Sequence, residues 1–198
     1  MVRQAIKMIV AVGLVAAAIT APAALRADEL PVAGTAEKPV LRLTLGKDAA
    51  PEIPGSVVAP GQVGEHEGDD YAAPGKAEVV SAHKGSGEWS VSFRHTLAVA
   101  PRGGDYEFWA CWKQGGEPKV CAQEFTVLAG PDAGALTERG AFRLTNDSPW
   151  KFQWVRGRGT IQLQESDRMI EVRNAGRGVD AKVFGGFLLA PAAAVPAQ

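Results

Sequence analysis

The chain has 198 residues, a formal charge of −1 at pH 7 and 46% hydrophobic residues. It lacks the clustered basic charge with which nucleic-acid-binding proteins attract phosphates, so we exclude nucleic acid as a partner. Its length suits one domain with a full core, and its 23 glycines and 13 prolines are typical of many short strands joined by tight turns.

Residues 1–27 have the layout of a secretory signal. Two basic side chains precede the apolar run Met8–Ala18, and small residues follow. The run is shorter than the roughly 20 residues that a membrane-spanning helix needs, so we interpret the segment as a cleaved signal. The small residues predict cleavage after Ala27, with Ala23 as the alternative site. The mature chain is then periplasmic or extracellular, without a membrane span; an uncleaved anchor is the alternative. Cleavage removes three of the 21 basic side chains and none of the 22 acidic ones, which leaves a charge of −4.

Residues 28–61 are rich in proline, alanine and valine. We predict that they form a linker or N-terminal extension with one strand, Val40–Leu45. Residues 50–75 combine several prolines and glycines with the acidic cluster Glu65-His66-Glu67-Gly68-Asp69-Asp70. Such composition is typical of a loop or linker, with room for an edge strand.

From residue 76 onward, short strand-like segments alternate with turn residues. The clearest is Trp89–Val99, where every odd position is large and every even one small or polar, which predicts a half-buried strand with one apolar face. The other predicted strands are Ala77–Ala82, Tyr106–Trp112, Val120–Leu128, Ala141–Thr145, Trp150–Val155, Thr160–Gln164, Met169–Arg173 and Val179–Leu189. This pattern predicts an all-β sandwich or jelly roll over residues 62–190, followed by a disordered tail at 191–198.

The aromatic residues also alternate within their predicted strands. Tyr106, Phe108 and Trp112 share one face, and Trp109 and Cys111 lie on the other. The three aromatic residues of the predicted strand at 150–155 likewise share a face, which we predict to be core.

Cys111 and Cys121 are the two cysteines of the chain, and the Gly-Gly-Glu-Pro sequence between them predicts a hairpin turn. Antiparallel pairing places such residues side by side, and exported compartments are oxidising, so we predict a structural disulfide. A redox or metal-binding pair is disfavoured because the spacing is not Cys-x-x-Cys and no histidine lies nearby.

The order of these signals resembles the galactose-binding-like, calcium-associated carbohydrate-binding modules that are appended to glycoside hydrolases and lyases. The resemblance covers residues 62–190 and implies a jelly-roll β-sandwich. The segments that carry it are Glu65-His66-Glu67, Gly104-Asp105-Tyr106-Glu107-Phe108-Trp109, Trp150–Trp154, Thr160–Leu163, Ile170–Asn174, Val179-Asp180 and Phe187–Leu189.

The resemblance further implies a structural calcium ion that ties the first strand to the last. Its ligands would be the carboxylates of Glu65, Glu67 and Asp180, since calcium prefers six to eight oxygen ligands. The alternative is a solvated acidic loop beside an aspartate at a strand end.

Four residues are candidates for carbohydrate contact. Aromatic rings stack on the C–H face of a pyranose, and Trp112, at the end of its strand beside the hairpin, is the first candidate platform. Tyr71 in the acidic loop and Trp150 are further candidates. Asn174 lies in a predicted turn where related modules place a sugar-contacting asparagine. For each of them the alternative role is structural, in the core or in a turn.

We therefore predict an exported, non-catalytic carbohydrate-binding module whose partner is a polysaccharide, with or without a polysaccharide-active enzyme. One alternative is a structural or protein-interaction sandwich of the cell envelope. Another is a small polysaccharide lyase or hydrolase, although three histidines and the lack of a Gly-x-Ser-x-Gly motif give a hydrolase triad no support. Calcium is the one cofactor expected.

Overall fold

A computed structural model of the chain describes residues 38–45, 53–58, 62–66, 79–83, 88–114, 121–147, 151–177 and 182–192, and for 53–58, 62–66 and 79–83 it describes the backbone. The described residues form twelve strands. In chain order they are β1 (Leu41–Thr44), β2 (Ile53–Val58), β3 (Gln62–His66), β4 (Val79–His83), β5 (Glu88–Thr96), β6 (Gly104–Gln114), β7 (Cys121–Gly130), β8 (Thr137–Asn146), β9 (Gln153–Arg156), β10 (Ile161–Leu163), β11 (Met169–Arg177) and β12 (Lys182–Pro191).

The strands form two antiparallel sheets. Sheet A is centred on β6 and β12, with β9 and β10 on the far side of β6, and with β1 and the pair β4–β3 on the far side of β12. Sheet B has the order β2-β5-β11-β7-β8. Strand β2 joins the sheets, because its first residues pair in parallel with β1 while Gly55 and the residues after it pair with β5.

The sheets pack face to face around an aromatic core. Phe187 of sheet A lies at the centre, with its ring centroid 5.1 Å from that of Phe93 and 6.1 Å from that of Phe125, both in sheet B. Trp89, Val91 and Phe93 of β5 are buried and alternate with more exposed residues. The prediction of an all-β sandwich is therefore confirmed. In the described ranges, no helix is long and apolar enough to cross a membrane.

A β-bulge sets the side-chain directions along β12. The register against β6 shifts between Phe184 and Gly186, so that Phe184 opposes Trp112 and Phe187 opposes Ala110. Residues three positions apart on a regular strand face opposite sides, but the extra residue of the bulge turns both phenylalanines into the core. Gly186 has φ 131°, a conformation that favours glycine.

Several predictions about chain organisation are wrong in detail. The sandwich begins before residue 62, because β1 and β2 are integral to the two sheets. Strands β2 and β3 arise from the segments predicted as extension and loop. The predicted signal at 1–27 and nearly all of the predicted tail at 191–198 lie outside the described residues.

The predicted disulfide is absent from the structure, where Cys111 is a free, fully buried thiol. Strand β6, which carries Cys111, pairs with β12, β9 and β10, whereas β7, which begins at Cys121, pairs with β8 and β11 of the other sheet. Cys111 also belongs to a cluster on the outer side of sheet A. The hairpin from which we predicted the bond does not form, since the chain changes sheet between the two cysteines.

Candidate functional site

Trp112 is not a platform for a sugar ring. Its side chain is 0% exposed and lies in the core, with its ring centroid 5.4 Å from that of Phe125 in an edge-to-face arrangement. Strand β6 continues to Gln114 instead of ending at Trp112, so the indole stays between the sheets. The predicted alternation, with Tyr106, Phe108 and Trp112 on one face, is confirmed.

Asn174 is likewise enclosed, because β11 continues to Arg177 where we predicted a turn. Its Nδ2 donates to the backbone oxygen of Glu124 at 3.0 Å and to Oε1 of Gln123 at 3.5 Å. Gln123 in turn donates to Gln114 of the other sheet at 2.9 Å. These contacts leave no amide group of Asn174 open to a sugar.

The same interior cluster contains Lys182, whose side chain is 1% exposed. Its Nζ donates to Oδ1 of Asn174 at 3.1 Å and to the backbone oxygen of Ala175 at 2.7 Å, and lies 5.0 Å from the ring centroid of Trp89. The Trp89 indole rests on Gly176, its cross-strand neighbour, where a Cβ would overlap the ring. Each polar group thus meets another across the sandwich, as burial of polar atoms requires.

The structure describes no side chain of the other residues that we predicted to contact sugar or calcium. Tyr71, Trp150, Glu67 and Asp180 lie outside the described residues. Glu65 lies in β3 opposite Val80 of β4, and its backbone position alone is described. Within the described ranges no three His, Cys, Asp or Glu side chains are grouped to hold a metal ion. The calcium site stays a prediction.

The outer face of sheet A carries a second apolar layer. Its buried members are Cys111, Phe152, Trp154, Val183 and Leu188, and partly buried Val40 and Trp109 pack against them. We call these seven residues the outer layer. Because side chains alternate along a strand, those of β6 that are not in the core point here. Of the three aromatic residues predicted to share a core face at 150–155, Phe152 and Trp154 are buried, but they belong to this layer and not to the main core.

Trp109 differs from every other Phe, Tyr or Trp in the described residues, because it is partly exposed whereas each of the others is at most 7% exposed. It stands between two strands of sheet A, opposite Leu188 of β12 and Arg156 of β9. Its indole Nε1 is buried and has no hydrogen-bond partner in the described part of the chain. The exposed part of Trp109 therefore does not include its indole N–H.

Polar groups flank this ring. Arg156 Nη2 lies 2.9 Å from Oε1 of Glu107, which precedes Trp109 by two residues on the same face of β6. The Glu107 side chain is 13% exposed and that of Arg156 is 55% exposed, so the ion pair borders the indole at the surface. Farther along β6, Lys113 Nζ lies 5.2 Å from the ring centroid of Phe152.

The Cys111 thiol, which is part of the outer layer, is expected to be unreactive. Burial raises the pKa of Cys111 far above its ordinary value, and the positive charge of Arg42 opposes this only in part. A thiol held neutral in this way is a poor nucleophile and a poor metal ligand.

Trp109 was not among the residues predicted to contact a sugar, although the alternation along its strand placed it on the face opposite Tyr106, Phe108 and Trp112. The available signal was the combination of that outward tryptophan with the alternating aromatics at 150–155. Their shared face is visible only once β9 is known to pair with β6, with Trp154 opposite Cys111.

No protein-family model matches the chain, and no curated protein matches it. Among solved structures, it is similar to a family 61 carbohydrate-binding module in complex with β-1,4-galactotriose, with 14% identity over 70% of this chain and 88% of the other and a TM-score of 0.45. A family 11 carbohydrate-binding module of a Clostridium thermocellum cellulase has 6% identity over 79% and 98%, with a TM-score of 0.46. A cleaved adhesin domain of Lys-gingipain from Porphyromonas gingivalis has 12% identity over 70% and 91%, with a TM-score of 0.46.

At these identities and TM-scores the likeness carries no argument about the family or the ligand of this chain.

Proposed function

We propose that this chain is an exported, non-catalytic carbohydrate-binding module that stacks a sugar ring on Trp109 at the outer face of sheet A. The observation that carries the proposal is the partial exposure of Trp109, when every other Phe, Tyr and Trp in the described residues is buried. The N–H of this indole is buried, and the apolar face of an indole ring suits the C–H face of a pyranose.

The ion pair beside Trp109 supports the same ligand class. Glu107 offers carboxylate oxygens as acceptors and Arg156 offers N–H donors, and together they match hydroxyl groups that both donate and accept. Few polar groups around an apolar platform are the usual composition of a small-molecule site. Trp109 packs against the buried members of the outer layer, so its indole is held in position before a ligand arrives. This limits the entropy lost on binding.

A non-catalytic role is supported by the state of the buried Glu171 carboxylate. Its side chain is 1% exposed and is bound by Arg94 and Arg173. Burial opposes ionisation, but these contacts lower the pKa of Glu171, which favours the ionised form and opposes use as a general acid. Export is supported by the N-terminal sequence, with its basic start and apolar run.

A glycan array probed with wild-type protein and with Trp109→Ala tests the proposal. We expect specific wild-type binding and at least a tenfold weaker affinity for Trp109→Ala, which corresponds to about 1.4 kcal/mol. Val99→Ala is the matched control, because Val99 is 79% exposed and lies in the loop after β5, away from the outer layer. We expect it to bind as the wild type does.

Two results would contradict the proposal. One is a blank array with protein whose folding is verified by cooperative unfolding, which would favour a protein-interaction sandwich. The other is equal binding by wild type and Trp109→Ala, which would place the sugar elsewhere, for example near Tyr71 or Trp150.

A further inference from the structure

The outer face of sheet B carries a buried carboxylate between two arginines. Glu171 lies on the central strand β11, and its side chain is 1% exposed. Arg94 of β5 donates to Oε2 of Glu171 from Nε at 2.8 Å and from Nη2 at 2.6 Å, and Arg173 donates to Oε1 from Nε at 2.5 Å. Both carboxylate oxygens are occupied, and we call these three residues the Arg–Glu–Arg cluster.

The cluster has one negative and two positive charges. Burial by itself raises the pKa of Glu171, but hydrogen bonds and positive charges from Arg173 and Arg94 outweigh burial, so the pKa lies below its usual value. The carboxylate is therefore ionised at neutral pH and holds both guanidinium groups in place. The formal charge of the cluster itself is +1.

Arg173 retains donors that Glu171 does not use. It binds the carboxylate through Nε, and its side chain is 49% exposed. Its cross-strand neighbours on the same face are Ser92 of β5 and Thr126 of β7. Paired residues on one face of a sheet have Cβ atoms about 4.5–5.5 Å apart, so two hydroxyl-bearing side chains flank the stem of Arg173.

We propose that the Arg–Glu–Arg cluster is a second binding site, on the sheet opposite Trp109, for an oxyanion carried by an acidic polysaccharide. A guanidinium presents parallel N–H donors that match carboxylate and sulfate oxygens. Glu171 orients Arg173 from below, and the hydroxyls of Ser92 and Thr126 add donors at its sides. The polysaccharide as carrier rests on the proposed function, whereas the oxyanion rests on the cluster.

The charge of the whole chain makes this site testable. A formal charge of −1 gives no general attraction to polyanions, so that binding of an acidic polymer reports a local site. Arg143 supplies a matched control, because it is an exposed arginine on the outer face of sheet B, in β8, and is not part of the cluster.

Affinity electrophoresis in gels that contain polygalacturonate, dextran sulfate or neutral dextran provides the measurement. We expect retardation by at least one of the two acidic polymers and none by neutral dextran. Retardation by polygalacturonate identifies a carboxylate as the ligand group, and retardation by dextran sulfate identifies a sulfate ester. Arg173→Gln is expected to weaken binding at least fivefold, Arg173→Lys to weaken it less, and Arg143→Gln to leave it unchanged.

Trp109→Ala separates this site from the first one. If both proposals hold, Trp109→Ala loses array binding and keeps its affinity for the acidic polymer, whereas Arg173→Gln does the reverse. The oxyanion site is overturned if wild type migrates equally in all three gels, or if Arg143→Gln weakens binding as much as Arg173→Gln. Equal cooperative unfolding of all variants confirms that each one is folded.

Discussion

The two outer faces of this sandwich differ in composition. The face of sheet A is covered by an apolar layer in which Cys111 and Leu188 are 0% exposed, whereas the centre of the sheet B face is a charged cluster around Glu171. Strand β12 is buried along nearly its whole length, and β5 alternates between buried and exposed residues. A strand buried on both sides needs a cover, and a strand with one polar side can face water.

If both proposals hold, one fold separates two kinds of recognition. In that case the apolar layer positions an indole for stacking, and the ion cluster positions a guanidinium for oxyanions. Neither arrangement uses the inter-sheet core, so either face can be altered while the core remains intact.

The largest expected effect concerns how well the outer layer is packed. Leu188→Ala should lower the free energy of unfolding by about 2–5 kcal/mol, the range for a buried leucine that leaves a cavity. Phe187→Ala, one residue earlier and in the main core, should cost about 3–5 kcal/mol. Denaturant titration of both variants measures the difference. A cost below about 1 kcal/mol for Leu188→Ala would mean that the outer layer is loose and that the two faces differ less than the structure indicates.

The next effect concerns the cluster on sheet B. Glu171→Gln removes the charge that two arginines share, and we expect a loss of about 1.5–3 kcal/mol, as for hydrogen bonds to charged groups. The loss is limited because Arg94 and Arg173 are partly exposed and regain hydration. Denaturant titration at pH 7 measures it. An unchanged stability would show that the cluster contributes nothing to the fold.

A smaller effect follows when the pH is changed. Since the pKa of Glu171 is lower in the folded protein, its stabilisation is present above the unfolded pKa of about 4.3 and is lost as the pH falls through the folded pKa. The stability difference between wild type and Glu171→Gln should therefore shrink as the pH falls below about 4.3. Thermal unfolding of both proteins from pH 7 to pH 3 measures this trend, and a constant difference would contradict the assignment.

The smallest effect is expected at Cys111, a buried member of the outer layer. Because the thiol is buried and its pKa is raised, iodoacetamide should leave it unmodified in the native protein and modify it after unfolding without reductant. Mass spectrometry of the peptide that contains Cys111 measures the modification. Modification of Cys111 only after reduction would restore the disulfide that the structure lacks.

Local sequence pattern was sufficient for much of the fold. The alternation in β5 predicted which side of the strand is buried, and Trp89, Val91 and Phe93 lie in the core as expected. His95 lies on the same face and is also buried. Strands β2 and β3 lie where we predicted a loop or linker with room for an edge strand, and neither was assigned, because Pro54, Gly55 and Gly64 lower intrinsic strand preference. Strand β2 forms by pairing with β1 and β5, and β3 by pairing with β4.

The candidate site was less predictable, since it depends on contacts between segments far apart in the chain. The prediction of Trp112 failed because alternation shows which residues share a face but not where the strand ends. The disulfide prediction failed for a related reason, because sequence proximity did not reveal that β6 and β7 lie in different sheets. Trp109 becomes a candidate only through the pairing of β6 with β9 and β12.

The bridging strand β2 also bears on self-association. Strand β2 pairs with β1 of sheet A and with β5 of sheet B, and the other edges among the described strands are β3, β9 and β10 in sheet A and β8 in sheet B. Strands β9 and β10 have four and three residues, too few to template a long intermolecular ladder. Strand β8 is longer but carries exposed Glu138 and Arg143. Among the described strands, these short or charged edges disfavour strand-to-strand pairing between molecules.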